Sequence, residues 1–326
     1  MATPLPATLL LPHECRLGSA WTCARSVAFG ALCLATLALA ALGCRRIAPV
    51  FVRTRWYMTN LSMLALSALQ MALLAVECLV RSSSRVLVAA KYCRGVQVAA
   101  SCLLYGKLAC ELSQRQSLYP TLLAPVVAAT MLLMTLNAAQ VVLSDDIDCH
   151  SVSWLVMSTT GVVLAASFAF PGRIVLDELK VASQQQKKLL GPASASRAAT
   201  ELEQSQEQLY VLLVCNAVSS SFQLAVDVYV TFGLEGRQSC DSMFFEDGAG
   251  ALEQSVRLLV SVGSYLVPNW ATIYVFYVLP RFQFATALDV SGIAMDDDGD
   301  NDDGSAAYEL LLNEQEQELE VVTLRR

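Results

Sequence analysis

The sequence has few charged side chains. Of its 326 residues, 16% are Asp, Glu, Lys or Arg, whereas about 25% is typical of a soluble domain. A further 55% are hydrophobic. Such a chain has too little polar surface to cover a water-soluble core, and this excludes a soluble globular protein.

Histidine is also scarce, which removes several classes of membrane enzyme. The two histidines, His13 and His150, both lie outside the apolar runs. An intramembrane zinc hydrolase needs several histidines around one metal ion. The sequence also contains neither the GxSxG motif of serine hydrolases nor a CxxC pair of the kind that binds zinc. We therefore expect a protein that is not an enzyme and that uses no metal or cofactor.

A basic patch is missing as well. The formal net charge is −7, and most of the acidic excess lies in residues 296–320. Outside the loops that flank the apolar runs, no cluster of Lys and Arg would neutralise a phosphate backbone. We therefore expect no binding to nucleic acid.

What the sequence does have is seven long apolar runs. Each is close to the roughly 20 residues that an α-helix needs to cross a bilayer core. The runs are residues 26–43, 57–80, 86–112, 121–143, 151–170, 209–233 and 255–279. The sequence therefore predicts an all-α protein, with a seven-helix membrane domain over residues 26–281 between an N-terminal lead, 1–25, and a tail, 282–326.

The charges between the runs predict the orientation of this domain, because basic residues collect on the cytosolic side of membrane proteins. Basic residues follow the first and fifth runs: Arg45, Arg46, Arg53, Arg55, Arg173, Lys180, Lys187, Lys188 and Arg197. Acidic residues dominate after the fourth and sixth runs: Asp145, Asp146, Asp148, Glu235, Asp241, Glu246 and Asp247. We expect a luminal or extracellular N-terminus and a cytosolic C-terminus, which requires the third run to span despite its charges.

The connection of residues 171–207 is the longest cytosolic loop in this topology. Residues 174–190 are expected to continue the fifth helix, and Thr200 with Glu203 forms a capping box that would start the sixth. Gly191-Pro192 and the Ala/Ser run that follows predict a break between them. The loop is therefore predicted to consist of two helical extensions joined by a flexible break, and the acidic tail is predicted to be disordered.

Charged residues also lie inside the apolar runs at similar outer depth: Glu77, Lys91, Arg94, Asp227 and Arg257. A charge in lipid persists when it is paired or hydrated. We expect one interhelical set in which Glu77 meets Lys91 and Arg94, and another in which Asp227 meets Arg257. Such pairs either fix the order of the helices or form a polar ligand or ion site in the outer half of the bundle.

The sixth run carries further polar side chains, at Asn216, Ser219, Ser220, Ser221 and Gln223. Polar side chains in spanning helices usually bond to neighbouring helices, so we expect them to hold helices together, with substrate contact as the alternative.

Cysteine is the residue type that bears on the redox environment. Cys93 and Cys149 both fall on the luminal side in this topology, so we expect a disulfide between them, with Cys240 as a competing partner. Most of the other cysteines fall within the apolar runs, where a free thiol behaves as a small hydrophobe: Cys33, Cys78, Cys102, Cys110 and Cys215.

The motifs of known seven-helix receptors are only partly present. The third run ends Cys110-Glu111-Leu112-Ser113 instead of an Asp/Glu-Arg-Tyr triad, and the seventh has Pro268-Asn269 instead of the Asn-Pro-x-x-Tyr order. The seventh run has no lysine for a retinal Schiff base. A rhodopsin-like receptor is disfavoured, while a divergent G-protein-coupled-receptor-like receptor and a small-solute transporter remain alternatives.

The tail contains a candidate sorting signal. Tyr308, Glu309, Leu310 and Leu311 match the tyrosine-x-x-bulky-hydrophobic pattern that clathrin adaptors bind in extended form. This pattern favours delivery to an endolysosomal or vacuolar membrane, with the plasma membrane as the alternative.

Three short stretches are similar to one family. They are Phe168-Ala169-Phe170-Pro171-Gly172-Arg173-Ile174-Val175-Leu176, Leu209-Tyr210-Val211-Leu212-Leu213-Val214-Cys215 and Tyr277-Val278-Leu279-Pro280-Arg281. With its seven runs, the chain resembles the plant tobamovirus multiplication proteins, to which certain orphan lysosomal receptor-like proteins of animals are related. The resemblance implies an endolysosomal or vacuolar membrane protein that acts as a scaffold, with no catalytic residues. We expect it to recruit membrane or cytosolic proteins through residues 171–207 and the tail.

Overall fold

Seven helices in the computed structural model are long and apolar enough to cross a membrane. They are α1 Ala20–Phe51, α2 Arg55–Leu79, α3 Ser84–Leu112, α4 Tyr119–Leu143, α5 Val152–Leu189, α6 Pro192–Gly233 and α7 Ala251–Val278. The structure describes residue 15 and residues 19–51, 55–80, 84–112, 116–143, 152–189, 192–233 and 250–278. Within these ranges it contains no strand, so the prediction of an all-α chain with seven helices able to cross a membrane is confirmed.

Helix α3 lies at the centre of the bundle. It packs against α2, α4 and α5, while α7 packs against α1, α2 and α6. In the spanning part of α3, 56% of the residues are buried inside the protein, against 22% in α4. This position explains why a run with several interior charges still spans, because the side chains of Lys91 and Arg94 are buried among other helices instead of facing lipid.

The outer surface of the bundle is apolar. Helix α4 exposes Leu132, Leu133 and Leu136, and α6 exposes Val218 and Phe222. Contiguous exposed apolar surface on this scale is typical of a protein whose solvent is lipid.

The apolar interior is divided into two clusters. The larger one joins α3, α5 and α6 through side chains such as Met157, Phe168 and Leu212, and the Tyr105 ring lies 5.6 Å from the Phe168 ring. The smaller one joins α1, α2 and α7 around Phe29, Met71 and Leu266.

Helices α5 and α6 continue well beyond their spanning segments. The spanning part of α5 ends at Asp177 and that of α6 begins at Gln206, yet α5 runs to Leu189 and α6 begins at Pro192. The prediction of two helical extensions is therefore confirmed. The predicted start of the sixth helix at Thr200 is wrong, because Pro192 sits at the first helical position, where its missing N–H costs no hydrogen bond.

The two long helices approach closely at Gly172. A Cβ atom there would lie 2.7 Å from Leu213 Cδ1, so a side chain would force α6 outward or displace Leu213. Helix α5 passes through Pro171 without ending.

Helix α7 is irregular. Its α-helical turns are interrupted by a π-helical segment at Val262–Leu266 and end in another at Tyr274–Val278. Pro268 lies just after the first segment and has no N–H, so the carbonyl of Ser264 loses its usual donor. Ser219 Oγ donates to that carbonyl at 2.9 Å. A side chain of α6 thereby satisfies the backbone of α7, as membrane helices with proline require.

One disulfide is found among the described residues, between Cys15 and Cys23 at the N-terminal end of α1. The sequence did not lead us to expect it. The predicted bond of Cys93 is wrong, because Cys93 is a free thiol buried within α3. Cys149 lies outside the described residues, as do Cys240, most of the lead and the whole tail with its candidate sorting signal at residues 308–311.

Candidate functional site

The most notable polar contact joins the beginning of α3 to the end of α6. Lys91 Nζ forms an ion pair with Asp227 Oδ2, and both residues are about as buried as the apolar core, with 3% of each exposed. Adjacent helices in the membrane run in opposite directions when a single loop joins them, so the start of α3 and the end of α6 share one end of the bundle. The structure therefore places a full ion pair across the two helices at that end.

Helix α5 completes the coordination of the carboxylate. Trp154 Nε1 donates to Asp227 Oδ1 at 3.2 Å, and Ser158 Oγ donates to Oδ2. Lys91 Nζ also lies 4.5 Å from the centre of the Trp154 ring, within range of a cation–π interaction. Since Trp154 and Ser158 are four residues apart, they share one helical face. Both carboxylate oxygens thus have donors, which offsets the cost of burying the charges.

The ion-pair partners expected from the sequence differ from those in the structure. Asp227 does not pair with Arg257, which instead donates to Glu253 one turn earlier on α7. Glu253 is half exposed, and the spacing of four residues favours a pair within the helix. Lys91 pairs with Asp227 and not with Glu77, which is buried on α2 and has an interaction of its own.

Arg94 lies one turn after Lys91 on α3 and is buried like it. Only 4% of the residue is exposed, and its Nη2 atom makes no hydrogen bond within the described part of the chain. A guanidinium stays protonated in proteins, so this position holds a positive charge inside the bundle.

A cavity of about 20 Å³ adjoins both cations. That is room for about one water molecule. Its polar lining consists of Lys91, Arg94, Ser158, Ser220 and Gln223. The remaining lining is apolar or glycine, including Gly161, where a Cβ atom would have no other atom within 4 Å.

A second polar group, the amide network of Ser67, Gln70, Gln97 and Asn269, links α2, α3 and α7. Gln97 Nε2 donates to Ser67 Oγ at 2.8 Å and approaches Asn269 Oδ1 at 3.5 Å. Asn269 Nδ2 donates to Gln70 Oε1 at 2.8 Å. Because each helix contributes at least one amide or hydroxyl, this network fixes the rotation of the three helices relative to each other.

Of the five polar side chains named on α6, two bond to α7 in the described structure, and Ser221 is exposed. Ser219 bonds to the α7 backbone, and Gln223 Nε2 donates to Tyr265 Oη at 3.1 Å. Ser220 and Gln223 also line the cavity, so the alternative of a ligand contact stays open for these two.

Sequence reasoning missed Trp154, Ser158, Gln97 and Asn269. A signal existed for the first two, because a tryptophan and a serine at helical spacing near the end of an apolar run present two donors on one face. For Gln97, the signal was a third polar side chain in the run that already carried Lys91 and Arg94.

Metal binding finds no support in the described ranges, which hold no group of three or more His, Cys, Asp or Glu side chains able to share an ion. Neither a protein-family model nor a curated protein sequence matches the chain.

Proposed function

We propose that this protein is a non-enzymatic, receptor-like membrane adaptor that recruits other proteins on the cytosolic side. The observation that carries the proposal is the pair of extensions formed by residues 178–189 of α5 and 192–205 of α6. At 1.5 Å per residue, the first reaches about 18 Å beyond its spanning segment. Two long helices that leave the bilayer next to each other offer a rigid surface, and their sequence carries Lys180, Lys187, Lys188 and Arg197.

The proposed orientation places these extensions in the cytosol and the N-terminus in the lumen or outside the cell. The basic residues of the extensions support it through the positive-inside rule. The Cys15–Cys23 disulfide supports it independently, because disulfides persist in oxidising compartments. Seven spans then put the C-terminal tail in the cytosol, where a clathrin adaptor would bind the motif at Tyr308 and Leu311. We place the protein in an endolysosomal or vacuolar membrane on that motif and on the family resemblance, with the plasma membrane as the alternative.

Proximity labelling from a tag on the C-terminus tests this function. We expect labelled cytosolic proteins and endolysosomal markers with the full chain, and a selective loss of the cytosolic partners in the variant K180E/K187E/K188E. The matched control is R85E, a charge reversal at the exposed start of α3, at the opposite end of the bundle in this orientation, which should leave the partners unchanged. Identical partner sets for all three proteins would contradict the proposal, and labelling of luminal proteins alone would contradict the orientation.

A divergent receptor is the second candidate, and one observation favours it. The Lys91–Asp227 pair ties α3 to α6, and the extension of α6 continues into the proposed cytosolic surface. A ligand that broke this pair would bias the position of α6, which is how a two-state receptor couples two sites. A ligand-dependent G-protein response in cells would favour this reading. Solute flux in reconstituted vesicles, abolished by Asp227→Asn, would instead favour a transporter.

A further inference from the structure

We propose that the cavity beside Lys91 and Arg94 is a binding site for one ordered water molecule, which accepts a hydrogen bond from Arg94 and donates in turn to α6. The water forms a second link between α3 and α6, separate from the ion pair of Lys91 and Asp227. Because water is neutral, the inference requires no excess of charge of either sign around the cavity. It concerns the interior of the bundle and does not depend on the adaptor function proposed above.

Arg94 supplies the donor. The residue lines the cavity, and its Nη2 atom is buried and makes no hydrogen bond within the described part of the chain. Leaving such a group unsatisfied is costly, so buried polar groups in native proteins are usually bonded to protein or to ordered water. A guanidinium has donors and no acceptor, so the partner that satisfies this atom has to be an acceptor.

Helix α6 supplies the other polar groups. Ser220 and Gln223 line the cavity from that helix. Gln223 Nε2 is already engaged, because it donates to Tyr265 Oη at 3.1 Å, but the amide oxygen Oε1 is an acceptor, and the Ser220 hydroxyl both accepts and donates. Water has two hydrogens and two lone pairs, so it accepts from Arg94 and donates to α6 at the same time. These side chains provide the two to four polar partners that are typical of a buried water.

The size of the cavity agrees with this occupant. Its volume is about 20 Å³, and about 10–15 Å³ measured in this way is enough for one water molecule. Phosphate, a sugar or an amino acid would exceed it. The rest of the lining includes Val98, Met134 and Met157, which offer no strong hydrogen bond, so the polar side of the cavity determines where the water lies.

Two glycines line the cavity, and they differ in what a side chain would meet. A Cβ atom at Gly95 would lie on Met134 Sδ, so glycine there permits α3 and α4 to pack closely. A Cβ atom at Gly161 would meet nothing within 4 Å beyond its own stretch of helix, so close packing does not require glycine there. Alanine is the better helix former. The glycine at position 161 therefore weakens α5 and leaves open the space that a bound water needs.

The test compares Gly161→Ala with the wild-type full-length protein, both purified in detergent. The added methyl group would take the place of the water and leave Arg94 Nη2 without an acceptor. We expect the melting temperature to fall by about 2–4 °C, although alanine by itself favours the helix. The control Gly263→Ala adds a methyl group in ordinary contact with Phe222, 3.6 Å away, and should not lower it. An unchanged or raised melting temperature in Gly161→Ala, as expected when an empty cavity is filled, would overturn the proposal.

The variant Arg94→Met removes the donor and tests the same site independently. In that background Gly161→Ala should no longer lower the melting temperature, because no buried guanidinium loses its acceptor. An equal loss in both backgrounds would mean that the methyl group acts by crowding, and would reject the site. If Arg94→Met does not fold, a density map of the wild-type protein that shows ordered water decides instead. A water within about 2.7–3.2 Å of Arg94 Nη2 supports the proposal, and a map without one rejects it.

Discussion

Asp227 is the residue that joins three helices at one end of the bundle. Its two carboxylate oxygens accept from Lys91, Trp154 and Ser158, so one short side chain connects α6 to α3 and α5. Removing one member of a buried ion pair leaves the other charge uncompensated, which is more damaging than removing both. The pair is therefore best examined with both single variants and the double variant.

We predict that Asp227→Asn and Lys91→Met each destabilise the protein by about 3–5 kcal/mol, and that the double variant recovers most of the loss. The asparagine introduced at position 227 of the double variant can still accept from Trp154 through its Oδ1 atom and can donate from Nδ2 to Ser158 Oγ. Thermal unfolding of the purified variants measures the effect. The control Glu253→Gln breaks the exposed pair within α7 and should cost less than about 0.5 kcal/mol.

The same measurements distinguish the observed pairing from the one expected from the sequence. Because Asp227 and Arg257 do not pair, Asp227→Asn and Arg257→Gln should be additive. Coupling between them, or additive losses for Lys91→Met and Asp227→Asn, would contradict the structure.

At these positions, the sequence indicated that the buried charges would be paired, but it did not indicate which residues would pair with each other. Lipid forces charges into the interior, so their presence in the bundle follows from composition alone. The choice of partner depends on the rotation of each helix, which is set by contacts such as Trp154 with Asp227 and Gln97 with Ser67. Those contacts join residues far apart in the chain, and no local pattern encodes them.

Helix α7 shows how an element can contain a break and remain one spanning unit. Pro268 removes one backbone donor, and Ser219 on α6 supplies a replacement for the Ser264 carbonyl. The stability of this turn therefore depends on a neighbouring helix and not on α7 alone.

We predict that Ser219→Ala costs about 1–3 kcal/mol, because it leaves a buried carbonyl without a donor. In a Pro268→Ala background the same substitution should cost clearly less, since the new N–H of residue 268 can bond to the Ser264 carbonyl. Thermal unfolding of the two single variants and the double variant measures this coupling. An equal cost in both backgrounds would mean that the proline does not create the need for Ser219.

The helices themselves were largely predictable from the sequence, and their ends were not. Each of the seven apolar runs coincides with a spanning helix, because hydrophobic length is a local property. The start of α6 was misplaced, since the capping box at Thr200 and Glu203 competes with the proline start at Pro192. Both the capping box and a proline at the first position favour the start of a helix. The start at Pro192 gives a longer helix without the loss of a backbone hydrogen bond.

For the whole molecule, the disulfide at the N-terminal end of α1 is a reporter of sidedness. We predict that Cys15 and Cys23 do not react with a maleimide reagent of high mass while the disulfide is intact. They should react once a membrane-impermeant reductant is added to the outside of intact cells or to the lumen of isolated vesicles. A mass shift on a gel measures the reaction, in a variant whose other cysteines are replaced by alanine. Labelling without reductant, from the cytosolic side, would reverse the orientation proposed for the bundle.

The ion pair between α3 and α6 also has a consequence for the insertion of the chain into the membrane during translation. Lys91 and Asp227 are separated by 136 positions, and the chain is synthesised from its N-terminus. At about 5–20 residues per second, translation takes roughly 7–27 seconds to reach the partner of Lys91. During that interval α3 carries two cations, Lys91 and Arg94, and has no carboxylate from α6 to balance them. The central helix of the finished bundle also has the lowest mean hydropathy of the seven spans, so we expect it to be the one least able to enter lipid by itself before the sixth helix emerges.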